Sequence, residues 1–152
     1  MEYLSMNQHD KWGRFGLWQH LGTDPYTSRI AWLKIWWCNR NPRLLINYYL
    51  EAGRCIGGMS VTSLFYFDFH LPSSLDIPLI TMSDRGCENN GIANFHTTIQ
   101  HQLDPSLHNT LQHRWCIDKT NIKAEAMWSQ LCSQWSPGFE DVLDFGINAA
   151  II

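Results

Sequence analysis

The sequence predicts an α/β domain, an antiparallel three-strand meander followed by helices and at least one further strand. Three observations carry that reading. β-prone segments come first, at Tyr3–Asn7, Phe15–Thr23 and Ile30–Trp37. Three apolar stripes at helical spacing follow: Leu45, Tyr48, Tyr49 and Ala52; then Ile92, Phe95, Ile99 and Leu103; then Ala124, Trp128, Leu131 and Trp135. Between the first two stripes lies a short apolar run, Ile77 to Ile80 with Pro78 inside it, which reads as a buried strand. A chain of 152 residues is long enough to bury a real core as one domain.

Each element has its own local signal. Asp24-Pro25 turns the second strand into the third. Asn41 caps the first helix, Pro42 occupies its first position, and Gly57-Gly58 stop it. The strand predicted over Ile77–Met82 runs out at Ser83-Asp84. Gly86 then makes a turn, and a helix runs from Gly91 to Leu103. Asp104 to Lys119 reads as loop or irregular helix. Asn121 to Trp135 is strongly helical, and Pro137-Gly138 break it before a last helix from Phe139 to about Phe145.

The composition excludes several classes of function. A net charge of −3 argues against strong non-specific DNA affinity, which comes mainly from Lys and Arg contacts to phosphate. Local basic patches remain: Lys11 with Arg14, Arg40 with Arg43, and Arg114 with Lys119 and Lys123. Lys119 and Lys123 flank the start of the third helix, where they would meet a DNA backbone or simply be solvated. Five cysteines without a CxxC pair fit a reduced compartment and disfavour zinc. His96/His101 and His108/His113 are spaced wrongly for one helix face and read as surface or polar-core residues. There is no phosphate loop, nucleophile elbow, signal peptide, transmembrane run or internal repeat. Eight tryptophans, most of them within periodic segments, read as core packing ahead of base stacking.

Two acids stand out. Asp84 is expected at the tip of a core strand, where a rigid strand presents a carboxylate to an open loop and suits a metal. An Asp-Gly turn or a helix cap would also explain it. Glu125 lies one step round from the buried stripe of its helix, at the border of core and solvent. A first-turn acid favoured by the helix dipole is the plainer account of it.

Together these segments resemble the catalytic core of DDE transposases and retroviral-type integrases, and more closely the integrase core domains found in fungal genomes. The strings that carry the resemblance are Gln8-His-Asp-Lys-Trp12, Gly22-Thr-Asp-Pro-Tyr-Thr-Ser-Arg29, Trp36-Trp37 with Asn41-Pro-Arg43, Ser83-Asp-Arg-Gly-Cys-Glu-Asn-Asn-Gly-Ile-Ala93, Asp104-Pro-Ser-Leu107, Leu111-Gln-His-Arg-Trp115, Asn121-Ile-Lys123 and Trp135-Ser-Pro-Gly-Phe-Glu140. They occur in the family's order and cover most of the chain.

The resemblance implies a ribonuclease-H-like fold with a mixed central sheet. It also implies three carboxylates holding two Mg²⁺ or Mn²⁺ ions for cleavage and joining of DNA ends. Asp84 matches the second acid and Glu125 the third. The first acid is replaced by Asn7, whose amide brings no negative charge, and this copy is therefore expected to be catalytically impaired. Asp10 is a nearby possible substitute, and Asp24 matches a structural aspartate at a strand end. Arg114, Lys119 and Lys123 are the expected nucleic-acid contacts. Implied partners are DNA and a second copy of the chain, with no membrane, and the implied location of a working member is the nucleus.

Two further departures accompany Asn7. Residues 59–76 interrupt the family's pattern with an aromatic-rich stretch that lacks Lys and Arg, either an extra hairpin or a retained intron. The matching region also begins and ends short, so residues 1–152 read as one core-like domain incomplete at both ends. Two other functions stay open at this point. One is a non-catalytic DNA- or protein-interaction module on the same fold. The other is a structure-specific nuclease using Asp84, Glu125 and Asp10.

Overall fold

The computed structural model describes residues 1–38, 40–57, 77–117 and 120–149. Lys119 and the 59–76 stretch lie outside these described residues. The meander is present as β1 (Tyr3–His9), β2 (Trp18–Thr23) and β3 (Ile30–Trp36). Helix α1 (Pro42–Gly57) follows, then β4 (Ile80–Asp84), α2 (Asn89–Leu103), β5 (His113–Cys116), α3 (Ile122–Gln134) and α4 (Ser136–Asn148). The strands form one five-stranded mixed sheet in the order β3-β2-β1-β4-β5. β1 pairs antiparallel with β2 and parallel with β4, and β5 continues parallel to β4.

β1 is the central strand, and its alternation divides the molecule into two layers. Leu4 and Met6 face one side, where Trp32, Tyr48, Tyr49, Ala52 and Ile92 close the larger core under α1 and α2. On the other side Leu21 packs with Ala124 and Trp128 of α3. With both faces covered, Ser5 and Asn7 are buried as well, and these polar residues must find partners within the protein. Gly22 lies opposite Trp32 across the β2–β3 pair. A Cβ at Gly22 would stand 2.5 Å from the indole, so a hydrogen is needed there for the ring to lie flat on the sheet.

Several boundaries differ from expectation, each for a local reason. β2 begins at Trp18 and not Phe15, because Lys11–Phe15 coil into a 3₁₀ turn closed by Gly16 in the left-handed region (φ 69°). β4 begins at Ile80 and not Ile77. Pro78 has no N–H to give a ladder, and its carbonyl is taken instead by the Gln100 side chain at 2.7 Å. α4 starts at Ser136 and not Phe139, because Pro137 in the first turn opens a helix where its missing N–H has no bond to make.

β5 is the substantive correction, a strand within Asp104–Lys119, where the sequence predicts loop or irregular helix. The four residues His113–Cys116 are too few to show a period. Their strand character comes from pairing with β4, where Thr81, Ser83 and Asp84 lie opposite His113, Trp115 and Cys116. Among the described residues, no helix is long and apolar enough to cross a membrane.

Candidate functional site

The β1–β4 register aligns Tyr3 with Ile80 and Met6 with Ser83, so one step further sets Asn7 beside Asp84 at the carboxyl ends of two parallel strands. The side chains meet there. Asn7 Nδ2 donates to Asp84 Oδ2 at 3.0 Å, and Asn7 is only 8% exposed. The amide's orientation follows from its partner, because an ionised carboxylate accepts only and Asn7 must turn its NH₂ toward it.

Two further asparagines lock the arrangement. Asn121, just before α3, is buried, donates from Nδ2 to the Met6 carbonyl at 3.0 Å and accepts from the Ser5 hydroxyl. Asn89, at the start of α2, donates to the Asp84 carbonyl at 3.0 Å and accepts from Gln8 Nε2 at 2.9 Å. The first turn of α3 carries Glu125, whose backbone N–H bonds to the Asn121 carbonyl at 3.1 Å and whose side chain is exposed. Burial first, and the negative charge of Glu125 second, raise the Asp84 carboxyl above the ordinary aspartate range. The amides of Asn121 and Asn7 pull the other way by favouring its charged form.

The fold thus brings Asn7, Asp84 and Glu125 to one end of the sheet. Asp10 sits past the end of β1, exposed, at the entry to the 3₁₀ turn. Among the described residues no group of three or more His, Cys, Asp or Glu side chains could hold a metal, so Asp10 does not complete a third carboxylate beside Asp84 and Glu125. Two carboxylates suit at most one Mg²⁺ that keeps most of its waters. They do not suit the bridged pair that clamps both oxygens of an in-line displacement. Asp84 Oδ2, moreover, is already occupied by the Asn7 amide. The donor set therefore does not fit a two-metal centre.

The expected nucleic-acid contacts separate. Arg114 is exposed on β5, opposite Met82, and faces the same side of the sheet as Asp84. Lys123 is exposed in the first turn of α3. Arg14, from another basic patch, is held by Glu140 and Asp144 of α4 at 3.2 and 3.1 Å. Asp24 is structural as expected. Its carboxylate accepts from the Tyr26 backbone N–H and the Thr27 hydroxyl, each at 2.9 Å, and so shapes the β2–β3 turn.

The histidines divide between core and surface. His96 and His113 are buried, while His101 and His108 meet at the surface with ring centroids 5.1 Å apart. Asn89 and Asn121 are site residues that the sequence alone does not mark for a role. The available signal was their place just ahead of helical stripes, where asparagine ordinarily caps a helix. No family model, curated protein or solved structure matches this chain.

Proposed function

We propose that this chain has a ribonuclease-H-like, integrase-type catalytic core of transposable-element origin whose metal-dependent phosphodiester chemistry is disabled at Asn7. The observation that carries the reading is the 3.0 Å hydrogen bond from Asn7 to Asp84 across two parallel central strands. It supports an acid site in which the first carboxylate has become an amide. That amide supplies two N–H donors where a third anion would have called for cations. The meander, the parallel crossover to β4, and a third acid on the helix covering the same face agree with the resemblance. A DNA partner and a nuclear location belong to this reading as well. A nuclease built on Asp84, Glu125 and Asp10 is disfavoured, because no such three-carboxylate group forms among the described residues.

The test is Mn²⁺-dependent nicking of supercoiled DNA by the chain as it stands, by Asn7→Asp, and by Asn7→Asp combined with Glu125→Gln. The expected result is nicking by Asn7→Asp alone. Nicking by the unaltered chain would show that Asn7 does not disable the site. Silence from all three would remove the support for a catalytic-core ancestry of these residues.

A further inference from the structure

The sheet face that carries Asp84 is covered by α3 over β1 and β2, where Leu21 packs with Ala124 and Trp128. Toward the start of β1 the same face opens into a cleft of about 240 Å³ lined by Tyr3, Pro25, Tyr26, Met82 and Arg114. This volume is below the roughly 300–1,000 Å³ of pockets that enclose a whole drug-sized ligand, and it suits one ring system lying in an open groove.

Three features of the cleft are chemical. Tyr26 is 73% exposed, yet it is not loose, because its backbone N–H is tied to Asp24 and its ring lies 5.6 Å from that of Tyr3, tilted by 46°. It offers a free aromatic face on a fixed turn. Across the cleft Arg114 is exposed, and among the described residues no carboxylate pairs with it. Met82 between them is a polarizable, apolar floor.

We infer that this cleft binds one unpaired nucleotide of a single-stranded nucleic acid, its base against Tyr26 and Tyr3 and its phosphate on Arg114. The inference rests on the nucleic-acid reading proposed above. Aromatic faces recognise a base only when it is unstacked from a partner strand. One free arginine on a chain of net charge −3 grips one phosphate but cannot hold the run of phosphates a duplex presents. The geometry also links the cleft to the acids. Met82 and Asp84 are successive same-face positions of β4, and Arg114 and Cys116 lie opposite them on β5. A strand seated in the cleft therefore lies about one two-residue repeat, roughly 7 Å, from Asp84.

The experiment is fluorescence anisotropy of a labelled oligothymidylate, and of a duplex of equal length, titrated with the full chain in EDTA at low salt. Tyr26→Ala, Tyr26→Phe, Arg114→Gln and the distant Arg43→Gln are run beside it, each with a thermal melt. The single strand should bind in preference to the duplex. Tyr26→Ala should weaken binding by about tenfold, within the range for loss of one base–aromatic stack, while Tyr26→Phe retains it. Arg114→Gln should weaken binding and flatten the salt dependence by about 0.7 in the log–log slope, the value of one single-strand phosphate. Arg43→Gln should change neither.

All three altered side chains are exposed, so melts should match the unaltered chain. Absence of binding, duplex preference, or Tyr26→Ala binding like the unaltered chain would overturn the inference. EDTA separates this result from catalysis. Nicking by Asn7→Asp with no effect of Tyr26→Ala on binding sinks the cleft alone, and ring-dependent binding without nicking sinks only the disabled-core reading.

Discussion

Replacing Asn7 by Asp exchanges a donor for an anion where Asp84 Oδ2 lies 3.0 Å from the position-7 nitrogen. Two losses follow. A hydrogen bond to a charged acceptor disappears, worth about 1.5–3 kcal/mol. Like charges then meet, and two unit charges 4 Å apart repel by about 4 kcal/mol at an effective dielectric constant near 20. Asp84 is only half-buried, so solvent screens part of that repulsion, and uptake of a proton by the pair caps the rest. The net expectation is destabilisation by about 3 kcal/mol, or roughly 6–12 °C in Tm for a domain of this size.

A divalent cation reverses the effect, because the introduced carboxylate, Asp84 and Glu125 would then offer three oxygen donors. Mn²⁺ at a hundred times its dissociation constant returns about 2.7 kcal/mol. The assay is thermal unfolding followed by circular dichroism near neutral pH, in EDTA and in Mn²⁺, for the unaltered chain, Asn7→Asp and Asn7→Ala. Asn7→Asp should melt lowest in EDTA and regain most of the loss in Mn²⁺. Asn7→Ala should lose less and regain nothing. Equal melting of Asn7→Asp and the unaltered chain in EDTA, or an equal Mn²⁺ shift in both, would refute the argument that the amide stands in a cation's place.

Acid should unfold the protein early. Burial holds His20 down at about 3 and His96 and His113 at about 4, so the unfolded chain binds more protons than the folded one between pH 6.5 and those values. Stability is complete above the unfolded value and falls as pH drops through the window, by about 2 kcal/mol per histidine at pH 5; urea midpoints that do not change from pH 7 to pH 5 would contradict this. Gly22→Ala should cost about 1–3 kcal/mol, because the new methyl meets the Trp32 ring at 2.5 Å, and a urea midpoint equal to the unaltered chain's would show that the indole can move. Gly91→Ala should destabilise similarly, since its Cβ would meet Pro42 of α1 at 2.6 Å, as measured by the same titration. Arg14→Ala should change stability by less than about 1 kcal/mol, because its bonds to Glu140 and Asp144 are exposed, and a double-mutant cycle with Glu140→Ala measures the coupling directly.

Strong periodicity and strong punctuation determined much of the architecture without any tertiary information. The stripes of α1, α2 and α3 repeat over many residues, Asn41-Pro42 marks a helix start, and Asp24-Pro25 marks a turn. Signals of that length and chemistry survive in any context. They were sufficient to put Asp84 at a strand tip and Glu125 in a first helical turn. The tertiary structure decided what short range cannot encode. β5 is a strand because β4 offers it a ladder. Lys11–Phe15 is a 3₁₀ turn because Gly16 closes it. Ser5, Asn89 and Asn121 carry structure because the fold buries each beside a donor or acceptor: Ser5 and Asn121 bond to each other, Asn121 also to the Met6 carbonyl, and Asn89 to the Asp84 carbonyl and Gln8. The facts of most functional weight, that the Asn7 amide faces Asp84 and that Tyr26 and Arg114 face one cleft, join residues 77 and 88 positions apart along the chain. Contacts of that separation are set by sheet register, which depends on the packing of both faces at once and leaves no mark in a local stretch of sequence.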